Sequence, residues 1–163
     1  MMNLTHCTTP SRFTFWAAKV ANVMTRDPIS VRNDATIREA ISFLAAKDAS
    51  SAPVIDEAGR AVGVLSLSDI VKAVHDHDYD ASFFDSQASD VMTPLVLCVS
   101  SSMPIDAVVD LLLECEVHQV YIVDEHGILI GRLGTQELLC ELHRRAAAEG
   151  CDCHACLEVR AAG

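Results

Sequence analysis

Aromatic residues are scarce in this sequence, at 5% of the chain with one Trp and two Tyr. Any interior must therefore be built from Val, Ile, Leu and Ala, and half of the 163 residues are hydrophobic, enough to fill one. Positive charge is scarce too: 12 Lys and Arg face 23 Asp and Glu, for a formal net charge of −11. Such a surface repels nucleic-acid phosphates and anionic lipid, so neither nucleic acid nor a membrane is an expected partner. No apolar run approaches the roughly 20 residues that cross a bilayer. Met1 to Pro10 lacks the basic-then-apolar order of a signal peptide. Also missing are a nucleophile elbow, a P-loop, an HExxH helix and paired catalytic acids, so neither catalysis nor a required cofactor is expected. The cysteines number seven, an odd count. Cys98, Cys115 and Cys140 fall within apolar patterns, which predicts buried, reduced thiols and a cytoplasmic location.

What the chain does contain is a duplication. Val23-Met24-Thr25 recurs as Val91-Met92-Thr93, so that Met24 returns 68 positions later. The same spacing, without a gap, pairs Val31 with Val99, Ile37 with Ile105, Leu44 with Leu112, Gly63 with Gly131 and Leu65 with Leu133. Asp56-Glu57 and Gly59 return as Asp124-Glu125 and Gly127.

Each copy predicts the order β-α-β-β-α. A short strand at Ile29 to Val31, or Leu97 to Val99, precedes a helix with an apolar stripe (Ala40, Ile41, Phe43, Leu44; Val108, Val109, Leu112, Leu113). Asp34 to Thr36 can start the first of these helices, and Pro104 suits the first turn of the second. A Gly-containing hairpin and a closing helix, Leu67 to His75 or Thr135 to Arg145, complete each unit. The fold class is α+β: two tandem units packed about a pseudo-twofold axis, since neither is large enough to hold a core alone. The expected organisation is an N-terminal extension (1–20), a first unit (21–77), a linker (78–88), a second unit (89–146) and a Cys-rich tail (147–163). The seam between the units would form two related clefts.

Val-Met-Thr, then Ala52-Pro53-Val54-Ile55-Asp56, then Gly63-Val64-Leu65-Ser66-Leu67-Ser68-Asp69, with the whole set repeated in the second copy, resembles a tandem pair of CBS (cystathionine β-synthase) domains. The resemblance covers roughly Ala21 to Arg145. It implies a module that dimerises, binds an adenosine compound (AMP, ADP, ATP or S-adenosylmethionine) as regulatory ligand, and signals to an effector protein. The family's ligand signature falls on Gly63, Ser66 and Asp69. It implies that Asp69 accepts from the ribose hydroxyls, that Ser66 donates to a phosphate at the helix start, and that Ile29, Ala52, Pro53 and Val54 hold the adenine. With so few basic residues, adenosine, a monophosphate or a sulfonium compound is easier to accommodate than a polyphosphate.

The second copy departs from the signature, with Gly134 in place of the hydroxyl residue and Glu137 in place of Asp. Arg132 and His118 are candidate phosphate partners there, and that site is expected to be weak or empty. Ser66 and Asp69 also have a plainer reading as a helix capping box, with no ligand involved. Cys151, Cys153, His154 and Cys156 in the tail are candidate metal or redox ligands, although their spacing is poor for a closed tetrahedral zinc site. The alternatives to ligand sensing are thus a ligand-free structural or dimerisation module, or a metal or thiol sensor.

Overall fold

A computed structural model describes residues 18–148 apart from residue 79; the candidate ligands at Cys151, Cys153, His154 and Cys156 lie outside the described residues. The elements run β1 (Thr25–Arg26), β2 (Val31–Arg32), α1 (Ile37–Ala46), β3 (Ser51–Ile55), β4 (Ala61–Ser66), α2 (Leu67–Asp76), α3 (Ala88–Val91), β5 (Cys98–Ser100), α4 (Ile105–Glu114), β6 (Gln119–Val123), β7 (Leu129–Gly134) and α5 (Thr135–Ala148). Thr36 opens α1 through a capping box with Glu39, each side chain accepting from the other's amide. Pro104 is the residue before α4 rather than part of its first turn: its ψ of 149° is extended. The polar linker holds a 3-10 turn, Ala81–Asp85, whose Phe83 is buried against the first unit.

Two small sheets result. One has the order β2-β3-β4 and the other β1-β7-β6-β5. Their registers superpose on the repeat: Val31 faces Val54 as Val99 faces Ile122, and both hairpins shift register at the same place, after Val54 and after Ile122. Each copy contains the predicted β-α-β-β-α order, preceded by β1 in the first and by α3 in the second.

What the periodicity did not show is an exchange of segments. β1, from the start of the first copy, pairs antiparallel with β7 of the second, Thr25 opposite Arg132. Reciprocally, Thr93 bridges Val64 in the first. Lys19 bridges Pro104, and Thr36 bridges Gln87. Each contact becomes its twin when one residue advances by the repeat and the other retreats by it, which is the signature of a twofold operation. Arg60 and Ile128, one repeat apart, bridge each other and so sit on the axis. Val20 and Met24 accordingly lie in the core of the second unit with Val99, Ile105, Val108 and Ile122. Ala88, Val91 and Met92 pack with Ile37, Leu44 and Leu65 of the first. The second sheet thus gains β1 from the first half, and the first sheet gains a bridge at Thr93 from the second.

Cys98, Cys115 and Cys140 are exposed, contrary to the expectation from their apolar surroundings. Cys98 alternates outward on β5 while its neighbour Val99 points in, and Cys115 sits just past the end of α4. A run of apolar neighbours does not place a residue on the apolar face.

On α5, the Arg144 guanidinium, and after it that of Arg145, hold the Glu141 carboxyl down from an ordinary 4.5 to about 2, against the opposing effect of burial. The folded state thus binds the proton less readily than the unfolded chain. The contribution is complete above pH 4.5 and fades as the pH falls towards 2. Denaturant melts between pH 2 and 6 should show a shallower acid loss in Glu141→Gln than in the parent; identical profiles would remove Glu141 from the account.

Candidate ligand clefts

Each hairpin ends where a helix begins, and the exchanged segment of the other copy runs past that junction. The first junction is Ser66. Its hydroxyl donates to Asp69 Oδ2 at 2.6 Å, its amide donates to the same oxygen at 2.9 Å, and the Asp69 amide donates back to Ser66 Oγ at 3.1 Å. The capping box is therefore formed, and it uses one of the two carboxylate oxygens. Beside it lies a cleft of about 510 Å3. Thr93, Leu95, Val96 and Leu97 form one wall, and Val117, His118 and Tyr121 another. Apolar walls closing on one carboxylate and a few hydroxyls suit a flat heterocycle joined to a sugar.

The twin cleft, about 440 Å3, is lined by Thr25, Pro28, Ile29, Pro53 and Arg132 among others. Glu137, the counterpart of Asp69, is not in its lining but holds two residues that are, Thr25 and Arg132. Thr25 Oγ1 donates to Oε1 at 3.1 Å, Arg132 pairs with the same oxygen at 3.2 Å, and the Gly134 amide donates to Oε2 at 3.0 Å. Gly134 has a packing reason as well: a Cβ there would stand 3.0 Å from the His118 carbonyl oxygen. Ser51, Gln119 and Tyr121 line both clefts and form the partition between them. Gln119 Nε2 donates to Tyr121 Oη at 2.8 Å. Burial pushes the Tyr121 hydroxyl up to about 12 against the opposing influence of Arg132, so it is a neutral phenol at any physiological pH.

The structure therefore sorts the sequence-derived site residues differently from the sequence. Ser66 and Asp69 share a cleft, as expected, but Ile29 and Pro53 line the other one. Ala52 and Val54 line neither; both are fully buried in the first unit's core. Arg132 does stand with Glu137, whereas His118 faces the Ser66 cleft. The cause is the exchange: the lead-in segment that serves each acid belongs to the opposite copy. Sequence reasoning misses Thr93 to Leu97, Gln119 and Tyr121 as site residues; a proline soon after each Val-Met-Thr copy, Pro28 and Pro94, is the signal that points to the first of these segments. Among the described residues, no group of three or more His, Cys, Asp or Glu is placed to hold a metal ion.

Two segments, residues 20–76 and 88–144, match the CBS domain family. The chain belongs to that family. Inosine-5′-monophosphate dehydrogenase of Methanocaldococcus jannaschii is 30% identical over 121 residues, which are 74% of this chain and 23% of the dehydrogenase. The magnesium transporter MgtE of Thermus thermophilus is 29% identical over 136 residues, 80% of this chain and 28% of the transporter. This CBS chain thus spans about a quarter of the length of those two relatives. Among solved structures, CBSX2 in complex with AMP is 28% identical with a TM-score of 0.66, over 80% of this chain and 96% of that one. The CBS domain pair of protein MJ0100, in complex with 5′-methylthioadenosine and S-adenosyl-L-methionine, also has a TM-score of 0.66; at 21% identity, over 79% and 98% of the two chains, it speaks to the fold.

Proposed function

We propose that this CBS pair is a regulatory module, without catalytic activity of its own, that binds an adenosine-containing ligand between its two units and passes its occupancy to an effector protein. The observation that carries the reading is the Ser66/Asp69 cleft: an acid with one carboxylate oxygen outside its capping box, facing apolar walls from the opposite copy. In this reading the second carboxylate oxygen accepts from a ribose hydroxyl, and Leu95 to Leu97 with Val117 sandwich the base, which their shared lining of one cleft supports. Solved CBS pairs of the same fold carry AMP in one case and methylthioadenosine with S-adenosylmethionine in another. The second cleft is the weaker, because Glu137 is outside its lining and its Arg132 and Thr25 are already engaged with that carboxylate. Ligand energy reaches the effector through the packing of the two halves, since the clefts share the partition and both are walled by exchanged segments. A homodimer is the expected assembly, and Leu67 and Val71 on α2 with Leu139 on α5 supply exposed apolar contact. No helix among the described residues is long and apolar enough to cross a membrane, and a cytoplasmic location is part of the reading.

A thermal-shift comparison of the parent with Asp69→Ala, against AMP, ADP, ATP and S-adenosylmethionine, tests it. Ligand at about 100 times its Kd adds roughly 2.7 kcal/mol, several degrees for a chain of this size. A shift caused by at least one compound and lost in Asp69→Ala is expected. No shift with any of them favours the second reading, a structural pair in which Ser66 and Asp69 only cap α2; the mutual hydrogen bonds of those two residues are the observation that supports it.

A further inference from the structure

We infer that the Ser66/Asp69 cleft selects a nucleoside whose 5′ substituent is uncharged or cationic, and discriminates against 5′-phosphates. The inference rests on the adenosine-site reading above and narrows it. A phosphate bound near the start of a helix needs free N–H groups and, in a protein of net charge −11, a cation. The cleft is short of both. Among the described residues that line this cleft there is no lysine or arginine, His118 is the one basic side chain, and Asp69 is the one carboxylate. Its twin, by contrast, has Lys47 and Arg132 to set against Asp27 and Asp48.

Most donors at the helix start are committed as well, the Ser68 amide being the exception. The Ser66 amide and hydroxyl both donate to Asp69, the Asp69 amide donates to Ser66 Oγ, and the Leu67 amide donates to the Ser50 carbonyl at 2.9 Å. The Asp69 carboxylate already supplies the negative charge that the helix dipole favours there. A phosphate would add a second anion beside the first, with its hydrogen bonds still to be found. A methylthio or sulfonium group needs no such donors: Val64, Leu95 and Val117 offer it apolar contact, and Asp69 attracts a positive sulfur.

Isothermal titration of the full chain at pH 8 with adenosine, 5′-methylthioadenosine, S-adenosylmethionine, AMP and ATP decides the matter. Adenosine or a thioether or sulfonium analogue should bind at least tenfold more tightly than AMP, and AMP more tightly than ATP. Asp69→Asn, which keeps an acceptor for the cap, should raise the ratio of AMP to adenosine affinity about threefold or more, because it removes the charge and leaves the shape. AMP or ATP binding at Asp69 as tightly as adenosine overturns the selection while leaving an adenosine site in place. Binding by none of the five overturns the site and the selection together.

Discussion

Val20→Asp is expected to destabilise the protein by more than about 3 kcal/mol and to melt the second unit, although Val20 precedes the first in sequence. Val20 has no exposed surface, and its neighbours are Val99, Ile105, Val108, Ile122 and Leu133. Its amide donates to the Met103 carbonyl at 3.0 Å, which fixes the turn that delivers the side chain into that core. A carboxylate there has no partner among the apolar residues it would touch. Asn22→Asp, two positions on at an exposed site, is the control, and should change stability by no more than about 0.5 kcal/mol. Chemical denaturation followed by circular dichroism separates the two. If Val20→Asp is as mild as its control, the lead-in segment does not belong to the second unit's core.

The second large effect is expected at Gly63, where the exchange comes closest to the backbone. The Val64 amide donates to the Thr93 carbonyl at 3.0 Å and the Thr93 amide returns the bond at 2.9 Å. A Cβ on Gly63 would lie 2.9 Å from that carbonyl oxygen and would run into Met92 Sδ. Met92 can swing away, but the carbonyl is held by its hydrogen bond, so a larger side chain must part the two segments. Gly63→Ala should cost about 1–3 kcal/mol and Gly63→Val at least about 3 kcal/mol. Because Val64 and Thr93 both line the Ser66 cleft, Gly63→Val should also lose nucleoside binding under conditions where it remains folded. Combining Met92→Ala with Gly63→Ala should cost less than the sum of the two single changes, as expected for residues that share one contact. Full stability and binding in Gly63→Val would mean that the Thr93 bridge contributes nothing to either.

These two positions also mark how far the sequence can be read. The repeat and its strand and helix order follow from periodicity, because a residue's inward or outward direction along a strand or helix is fixed locally. The capping residues Thr36 and Ser66 were legible for the same reason: a cap is a hydrogen bond between residues three apart. Burial of the three cysteines was misread because apolar neighbours in sequence do not say which face a particular residue takes. The site was legible in half. Ser66 and Asp69 carry their own motif, but the walls that face them come from Thr93 to Leu97 and from β6, and no local pattern connects those segments with Asp69.

The sequence by itself determined the duplicated α+β architecture, the acidic surface, and the inequality between a Ser66/Asp69 junction and a Gly134/Glu137 junction. Only the tertiary structure decided which lead-in segment serves which acid. Two copies with matching apolar faces could pack their own β1-like segments or trade them, and each choice satisfies the same periodicity. The traded arrangement closes both sheets at Thr25–Arg132 and Thr93–Val64 and buries Val20 and Met24 across the axis. It thereby brings Ile29 into one cleft with Arg132 and His118 into the other with Asp69, an outcome of long-range packing that neither copy encodes alone.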